Sequence, residues 1–150
     1  MAIGEICNRE VVSIKRKDTV TEAARLMRKH HVGSLVVVDE NGKFNPVPVG
    51  ILTDRDITVS VTALGLDPST ITVNEIMGET VLCVNESAGI AETVSLVRAK
   101  GVRRLPVVDT AGLLTGMVSA DDLLSLLAEE LSGLADATTR EQRHEAQTRR

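Results

Sequence analysis

Residues 50–57 are Gly50-Ile51-Leu52-Thr53-Asp54-Arg55-Asp56-Ile57, and residues 116–123 are Gly116-Met117-Val118-Ser119-Ala120-Asp121-Asp122-Leu123. Each stretch is a glycine, an apolar pair, a hydroxyl residue, and an aspartate three positions after the hydroxyl. Two copies of one phrase in a chain of 150 residues indicate an internal repeat.

The repeat extends well beyond this phrase. Shifting the chain by 70 positions aligns residues 5–39 with residues 75–109, and 11 of these 35 pairs are identical. After that point the offset becomes 66, because the first copy has four extra residues within positions 40–49, a polar stretch typical of a loop. We therefore expect a first repeat over residues 1–69, a second over 70–134, and a polar, flexible C-terminal tail over 135–150.

Each copy has the pattern strand, helix, strand, loop, strand, helix. The first copy predicts strands at 11–14, 35–38 and 47–52, and helices that begin at Thr19 and Thr53. The second copy predicts strands at 81–84, 105–108 and 113–118, and helices at 90–97 and 121–131. Residues 57–62 alternate and are β-branched, which alone favours a strand. Their counterpart after Asp121 is leucine-rich and helical, so we predict a helix there too.

These elements predict an α/β (α+β) fold made of two tandem repeats. Each repeat would be a small mixed sheet with two helices on one face. Half-units of about 60 residues are marginal alone, so the two are expected to bury apolar faces against each other.

Composition excludes several classes of function. A net charge of −4, with Phe44 as the only aromatic residue, argues against nucleic-acid binding. The chain has no long apolar span and no signal peptide, which predicts a cytoplasmic protein without a membrane segment. Its two cysteines, Cys7 and Cys83, are solitary and lack the spacing of a zinc site, so we predict packing roles and no metal.

The hydroxyl and aspartate of each phrase form a helix-capping box, Thr53 with Asp56 and Ser119 with Asp122. The same turn suits a nucleotide, because a helix N-terminus attracts phosphate and a carboxylate accepts hydrogen bonds from ribose hydroxyls.

Arg103 and Arg104 enter the second strand of the second repeat, where the first repeat has Gly33 and Ser34. They are either a solvated strand end or forked donors to a phosphate chain. In both cases the two halves cannot be chemically equivalent.

The duplicated unit closely resembles a tandem pair of CBS domains, the module named after cystathionine β-synthase and also called a Bateman module. The resemblance covers roughly residues 4–127 and rests on the repeated phrase and on the segment 102–108. It implies two clefts related by a pseudo-twofold axis, in which adenosine nucleotides commonly bind. It also implies a homodimer that packs through its helices.

Carried over by resemblance, one cleft would consist of Thr53, Arg55, Asp56, Met77, Leu82, Val102, Arg103, Arg104 and Pro106. The other would consist of Ser119, Asp121, Asp122, Cys7, Val12, Val32, Gly33 and Ser34. Because arginines crowd the first cleft and aspartates the second, we expect tighter nucleotide binding in the first.

The leading functional interpretation is a non-catalytic regulatory sensor that binds AMP, ADP or ATP and acts on an unknown protein effector. The alternative is a dimeric scaffold whose clefts are empty. A leucine stripe at 123, 124, 126, 127, 131 and 134 either covers the sheet of its own repeat in part or forms a homodimer interface, and its breadth favours the homodimer. No catalytic motif is present; His30 and His31 are at a helix end, where a cation favours the helix dipole. We expect no enzyme activity and no required cofactor.

Overall fold

The computed structural model describes residues 1–40 and 46–149. The first half contains α1 (Ile3–Ile6), β1 (Ser13–Lys15), α2 (Val20–His30), β2 (Ser34–Glu40), β3 (Pro46–Thr53), α3 (Asp54–Ile57) and a π-helical turn (Thr58–Thr62). The second half contains α4 (Val73–Ile76), β4 (Val84–Asn85), α5 (Ile90–Lys100), β5 (Arg104–Val108), β6 (Leu114–Ser119) and α6 (Ala120–Thr148). Most of the predicted four-residue insertion lies outside the described residues.

The strands form two sheets of identical topology, which confirms the predicted fold class. β1 pairs in parallel with β2, and β2 pairs antiparallel with β3; β4, β5 and β6 repeat this arrangement. Each central strand has one register irregularity, at Val37/Val38 in β2 and at Val107/Val108 in β5. These irregularities are 70 positions apart, so the sequence repeat is also a repeat of backbone geometry.

β2 shows why the two halves need each other. Leu35, Val36, Val37 and Val38 are at most 5% exposed, although side chains of a strand alternate between its faces. A strand this apolar must be covered on both sides. Leu35 and Val37 share one hydrophobic cluster with Ala23 and Met27 of α2, Ile57 of α3 and Val73 of α4. Because α4 belongs to the second half, the second half helps to cover this strand.

The short helices α1 and α4, which we did not predict, are exchanged between the halves: each packs into the hydrophobic core of the other half. Ile3 of α1 is fully buried in the core of the second half, and its N–H donates to Ala88 O at 2.8 Å. Val73 of α4 is fully buried in the core of the first half, and its N–H donates to Asp18 O at 2.8 Å. Both the donors and the acceptors are 70 positions apart. The two halves are therefore interlocked by symmetric swaps.

The ambiguous segment 57–62 is helical, as predicted. α3 continues into the π-helical turn, and Thr58 Oγ1 donates to Asp54 O at 3.0 Å. Gly65 follows with φ of 66°, the left-handed conformation that a helix exit favours. The counterpart in the other repeat therefore predicted this segment better than its local β propensity did.

The helix predicted to end near residue 131, followed by a tail over 135–150, is wrong in extent. α6 continues without a break to Thr148. Residues 135–148 contain no proline or glycine and are mostly good helix formers, and the hydroxyls of Thr138 and Thr139 bond back to carbonyls four residues earlier. Polar composition describes the exposure of this segment correctly but does not imply that it is irregular.

Within the described chain, none of the helices combines the length and hydropathy that a membrane span requires.

Candidate ligand clefts

Both phrase turns are closed capping boxes. The N–H of Asp56 donates to Thr53 Oγ1 at 3.2 Å, and the N–H of Thr53 donates to Asp56 Oδ2 at 2.9 Å. Ser119 and Asp122 make the same pair of bonds at 3.1 and 2.9 Å. Each carboxylate thus uses Oδ2 for the cap, and within the described residues Oδ1 accepts no hydrogen bond in either turn. One carboxylate oxygen per turn remains available to a ligand.

The cleft predicted around Ser119 and Asp122, named here the Ser119 cleft, has a volume of about 250 Å³. It brings together residues that are far apart in sequence: Asn8, Glu10, Val11, Val12, Val32, Ser34, Arg104, Met117, Ser119 and Asp122. Five of these were predicted for this cleft: Val12, Val32, Ser34, Ser119 and Asp122. Its lining combines apolar side chains, three of them valines, with two hydroxyls (Ser34 and Ser119), two carboxylates (Glu10 and Asp122) and the guanidinium of Arg104. This combination suits a ligand with an apolar face, hydroxyl donors and an anionic group.

The second cleft, named here the Val102 cleft, has a volume of about 180 Å³. Its lining is Ile51, Gly78, Thr80, Val81, Leu82, Val102 and Arg104. Leu82, Val102 and Arg104 were predicted for this cleft, and they correspond to Val12, Val32 and Ser34 of the Ser119 cleft at an offset of 70. The two clefts are therefore symmetric in position but not in chemistry.

Several predicted residues do not line these clefts. Thr53 is two residues beyond Ile51 on the same face of β3, so its turn, with Arg55 and Asp56, lies past the end of the Val102 cleft. The remaining predicted residues outside the linings are Met77, Arg103, Pro106, Cys7, Gly33 and Asp121. Pro106 is buried within β5, opposite Met117.

The positions of Met77 and Cys7 explain the glycine that opens each phrase. A Cβ at Gly50 would lie 2.9 Å from Met77 Sδ, and a Cβ at Gly116 would lie 2.6 Å from Cys7 Sγ. Both sulfur side chains lie across the strand at the point where only glycine leaves room. Met77 and Cys7 therefore pack against the two phrase glycines in equivalent places.

Four residues of the Ser119 cleft were missed by sequence reasoning: Asn8, Glu10, Val11 and Met117. Asn8 and Met117 exchange two backbone hydrogen bonds of 2.9 Å, which attaches the segment after α1 to β6. The alignment of the repeats contained a signal for this contact, because α1 and α4 correspond. It became recognisable only once the exchange of α1 was known.

The arginines are distributed differently from the sequence expectation. Arg103 Nη2 lies 3.9 Å from Asp121 Oδ1, with both side chains more than 75% exposed. Such a surface ion pair contributes little to stability, but it turns Arg103 toward α6 and partly offsets the negative charge at Asp121. Arg104 lines both clefts. The expected preference for the Thr53 and Asp56 side, which counted both arginines there, therefore loses part of its basis.

Other chemistry is sparse in the described part of the chain. No group of three or more His, Cys, Asp and Glu side chains is placed to hold a metal ion there. Cys83 is half-buried, and this burial raises the pKa of its thiol above the ordinary value. A raised pKa keeps the thiol protonated, the opposite of what a nucleophilic or metal-binding cysteine needs.

A separate apolar groove of about 240 Å³ runs between α5 and α6. It is lined by Val94, Val97, Arg98, Ala120, Leu123, Leu124 and Leu127. Beyond it, the predicted leucine stripe continues along α6, where Leu131 and Leu134 are 68% and 67% exposed. This surface is opposite in character to the clefts, because it offers almost no polar group.

Comparison with known proteins gives a consistent result. The family model described as CBS domain matches residues 3–62 and again residues 73–129. Hypoxic response protein 1 of Mycobacterium tuberculosis is 34% identical over 125 residues, which is 83% of this chain and 84% of that protein. The protein MK0525 of Methanopyrus kandleri is 36% identical over 126 residues; this is 84% of the chain but only 62% of that relative's length. An inosine-5'-monophosphate dehydrogenase of Methanocaldococcus jannaschii is 32% identical over 80% of this chain and 22% of the enzyme.

Solved structures agree with these relatives. A protein with CBS domains from Burkholderia ambifaria superposes with a TM-score of 0.72 at 28% identity, over 85% of this chain and 93% of that one. A hexameric CBS-CP12 protein from bloom-forming cyanobacteria superposes with a TM-score of 0.69 at 33% identity, over 83% of this chain and 70% of that one.

Proposed function

The chain belongs to the CBS-domain family, and on that premise we propose that it is a non-catalytic regulatory module that binds an adenine nucleotide, AMP, ADP or ATP. The observation that carries this proposal is the Ser119 cleft. Three valines, the carboxylate of Asp122 and the guanidinium of Arg104 converge there from four separate parts of the chain. The match to the dehydrogenase covers 22% of that enzyme, so it gives no reason to assign its reaction to this chain.

Each part of the cleft has a role in the proposed complex. The apolar side chains of Val12 and Val32 would cover the faces of the base, since the lining of this cleft contains no Phe, Tyr or Trp for stacking. Asp122 Oδ1 would accept hydrogen bonds from the ribose hydroxyls. Arg104 would donate to phosphate through its forked N–H groups. We place this binding in the cytoplasm, where a ligand-dependent change of shape would act on a protein effector.

A ligand panel tests the proposal against the scaffold alternative. Melting temperature is measured with adenosine, AMP, ADP or ATP at 1 mM, with GTP as the specificity control. A ligand present at 100 times its Kd stabilises the folded state by about 2.7 kcal/mol. For a chain of this size that corresponds to a rise of roughly 5–10 °C. A rise with at least one adenine ligand supports binding, whereas no shift with any of them supports a scaffold with empty clefts.

The apolar groove between α5 and α6 supports a second element of the proposal, a homodimer. Leu124, Leu127, Leu131 and Leu134 are between 41% and 68% exposed. Together with the groove they form a continuous apolar band, and exposed bands of this kind mark interaction surfaces. Multi-angle light scattering at micromolar concentration should give about twice the 16.1 kDa mass of the chain. A mass of one chain at that concentration would rule out the dimer.

A further inference from the structure

Arg104 is the one residue that lines both the Ser119 cleft and the Val102 cleft among the linings described above. We propose that the two clefts share this arginine, so that a phosphorylated nucleotide bound in one cleft weakens the binding of a second in the other. This inference rests on the proposed nucleotide-binding function and adds a coupling between its two sites.

The position of Arg104 in the sheet makes the sharing possible. It is the first residue of β5 and pairs with Ser119 across the strands, so its backbone adjoins the Ser119 turn. On its other side, Leu82 and Val102 belong to the same lining as Arg104. The side chain therefore stands on the wall between the clefts.

The first repeat has no equivalent arginine. The residue 70 positions before Arg104 is Ser34, the first residue of β2, which lines the Ser119 cleft. A serine is too short to serve a second cleft, and it carries no charge. The Ser119 cleft thus depends on an arginine that belongs, by symmetry, to the Val102 cleft.

The guanidinium of Arg104 is also accessible to a ligand. It is exposed, and within the described chain it takes part in no salt bridge, whereas the neighbouring Arg103 lies 3.9 Å from Asp121. A phosphate that binds the forked N–H donors bidentately occupies the face of the guanidinium that a second phosphate needs. The second ligand then meets a cleft without its cation, and the phosphate already bound repels it.

Adenosine serves as the control that distinguishes competition for Arg104 from a difference between the apolar parts of the two clefts. Because adenosine has no phosphate, it does not bind Arg104, and its presence in one cleft should leave the affinity of the other cleft unchanged. The coupling is therefore expected for AMP, ADP and ATP and not for adenosine.

Isothermal titration calorimetry with ADP and adenosine tests the proposal. In the wild-type chain we expect a second ADP site about ten- to a hundredfold weaker than the first, the factor that loss of one charge-assisted contact gives. Ser34→Arg supplies the missing arginine and should bring the two ADP sites to within about threefold. Ser34→Gln, which lengthens the side chain without adding a charge, should leave the difference between the two ADP affinities unchanged. Arg104→Gln should weaken ADP and leave adenosine unchanged.

Blocking one cleft distinguishes two explanations for the weak site: that the two clefts share Arg104, or that the Ser119 cleft is weak because it has no arginine of its own. Thr80 is exposed and lines only the Val102 cleft, so Thr80→Trp should fill that cleft without disturbing the core. Arg104 is then released, and the remaining ADP site should bind as tightly as the first site of the wild type. If that site keeps the affinity of the weak wild-type site, or if the wild type has two equal ADP sites, the sharing is wrong while nucleotide binding stands. If neither ADP nor adenosine binds, the proposed function fails and the coupling fails with it.

Discussion

His31 and Gly101 hold equivalent positions at the C-terminal ends of α2 and α5, and both are in the left-handed region. His31 has φ of 54° and Gly101 has φ of 63°; each backbone N–H bonds to the carbonyl four residues earlier. A residue with a Cβ adopts this conformation at a cost that glycine avoids. The two repeats therefore carry the same cap in a strained and an unstrained version.

We expect His31→Gly to raise the free energy of unfolding by about 0.5–1 kcal/mol, because relief of the left-handed strain exceeds the added entropy of the unfolded glycine. Gly101→Ala, the matched control, should lower it by about 1 kcal/mol. Urea denaturation followed by circular dichroism measures both. A loss of stability in His31→Gly would mean that the imidazole makes a contact worth more than the strain.

The raised pKa of Cys83 predicts slow alkylation. At pH 8 the buried thiol carries less thiolate than an unfolded one, so iodoacetamide should label Cys83 more slowly in the native chain than in urea. Peptide-resolved mass spectrometry follows this site separately from Cys7. Equal rates at pH 8 in the native and denatured chain would show that burial does not protect the thiol.

The same burial predicts a small pH dependence of stability. A thiol whose folded pKa is raised favours the folded state below the unfolded pKa, near 9.0, and this contribution is lost as pH rises through the folded pKa. Cys83→Ala should remove this contribution, so the free energy of unfolding should fall less at alkaline pH than in the wild type. If it falls equally in both, other groups cause the decrease.

At the scale of elements, the exchange of α1 and α4 makes the two repeats depend on each other. Ile3→Ala removes a fully buried side chain and should cost about 2–5 kcal/mol, whereas Leu64→Ala, at a residue 67% exposed, should cost little. Val73→Ala should also destabilise the chain, by less, because fewer buried carbons are lost.

Amide hydrogen exchange shows which half each variant loosens. With Ile3→Ala we expect faster exchange in β4, β5 and β6, and with Val73→Ala faster exchange in β1, β2 and β3. The reverse assignment would contradict the exchange of the short helices.

The outer part of α6 is the element on which the dimer depends. Replacing Leu127 and Leu131 by Gln removes apolar surface that a partner would bury, while the helix keeps good helix formers. We expect light scattering to show a shift from two chains toward one. Glu129→Gln changes the same helix on the face opposite the leucine band and should leave the mass unchanged. If the leucine variant is still a dimer, the interface does not lie on this part of α6.

For the whole molecule, the repeated phrase was enough to predict two like sheets, because glycine, apolar pair and capping box fix a strand-to-helix turn. The exchange of α1 and α4 was beyond sequence reasoning, since helices of four residues show no periodicity. The extent of α6 was missed because polarity was taken as a sign of irregular structure. For the clefts, the resemblance to tandem CBS domains predicted Val12, Val32, Leu82 and Val102. It could not predict the reach of Arg104 into both clefts, which depends on strand register.

The domain division at residues 69/70 and the ligand roles of the site residues stay predictions. The exchange of α1 bears on the first of these, since residues 3–6 belong in space to the second core. Ligand roles depend on whether the Asp122 carboxylate accepts hydrogen bonds from a ribose.

The central claim is that the clefts bind an adenine nucleotide, and calorimetric titration of the wild-type chain with ADP, repeated with Asp122→Ala, tests it most directly. We expect saturable binding in the wild type, and a loss of about ten- to a hundredfold at the Ser119 cleft when the charge-assisted bonds to ribose are removed. The unliganded variant should lose about 1 kcal/mol of stability through its cap, so it is titrated at a temperature where it remains folded. No saturable heat with ADP up to millimolar concentration, or ADP binding unchanged by Asp122→Ala at both sites, would contradict the account.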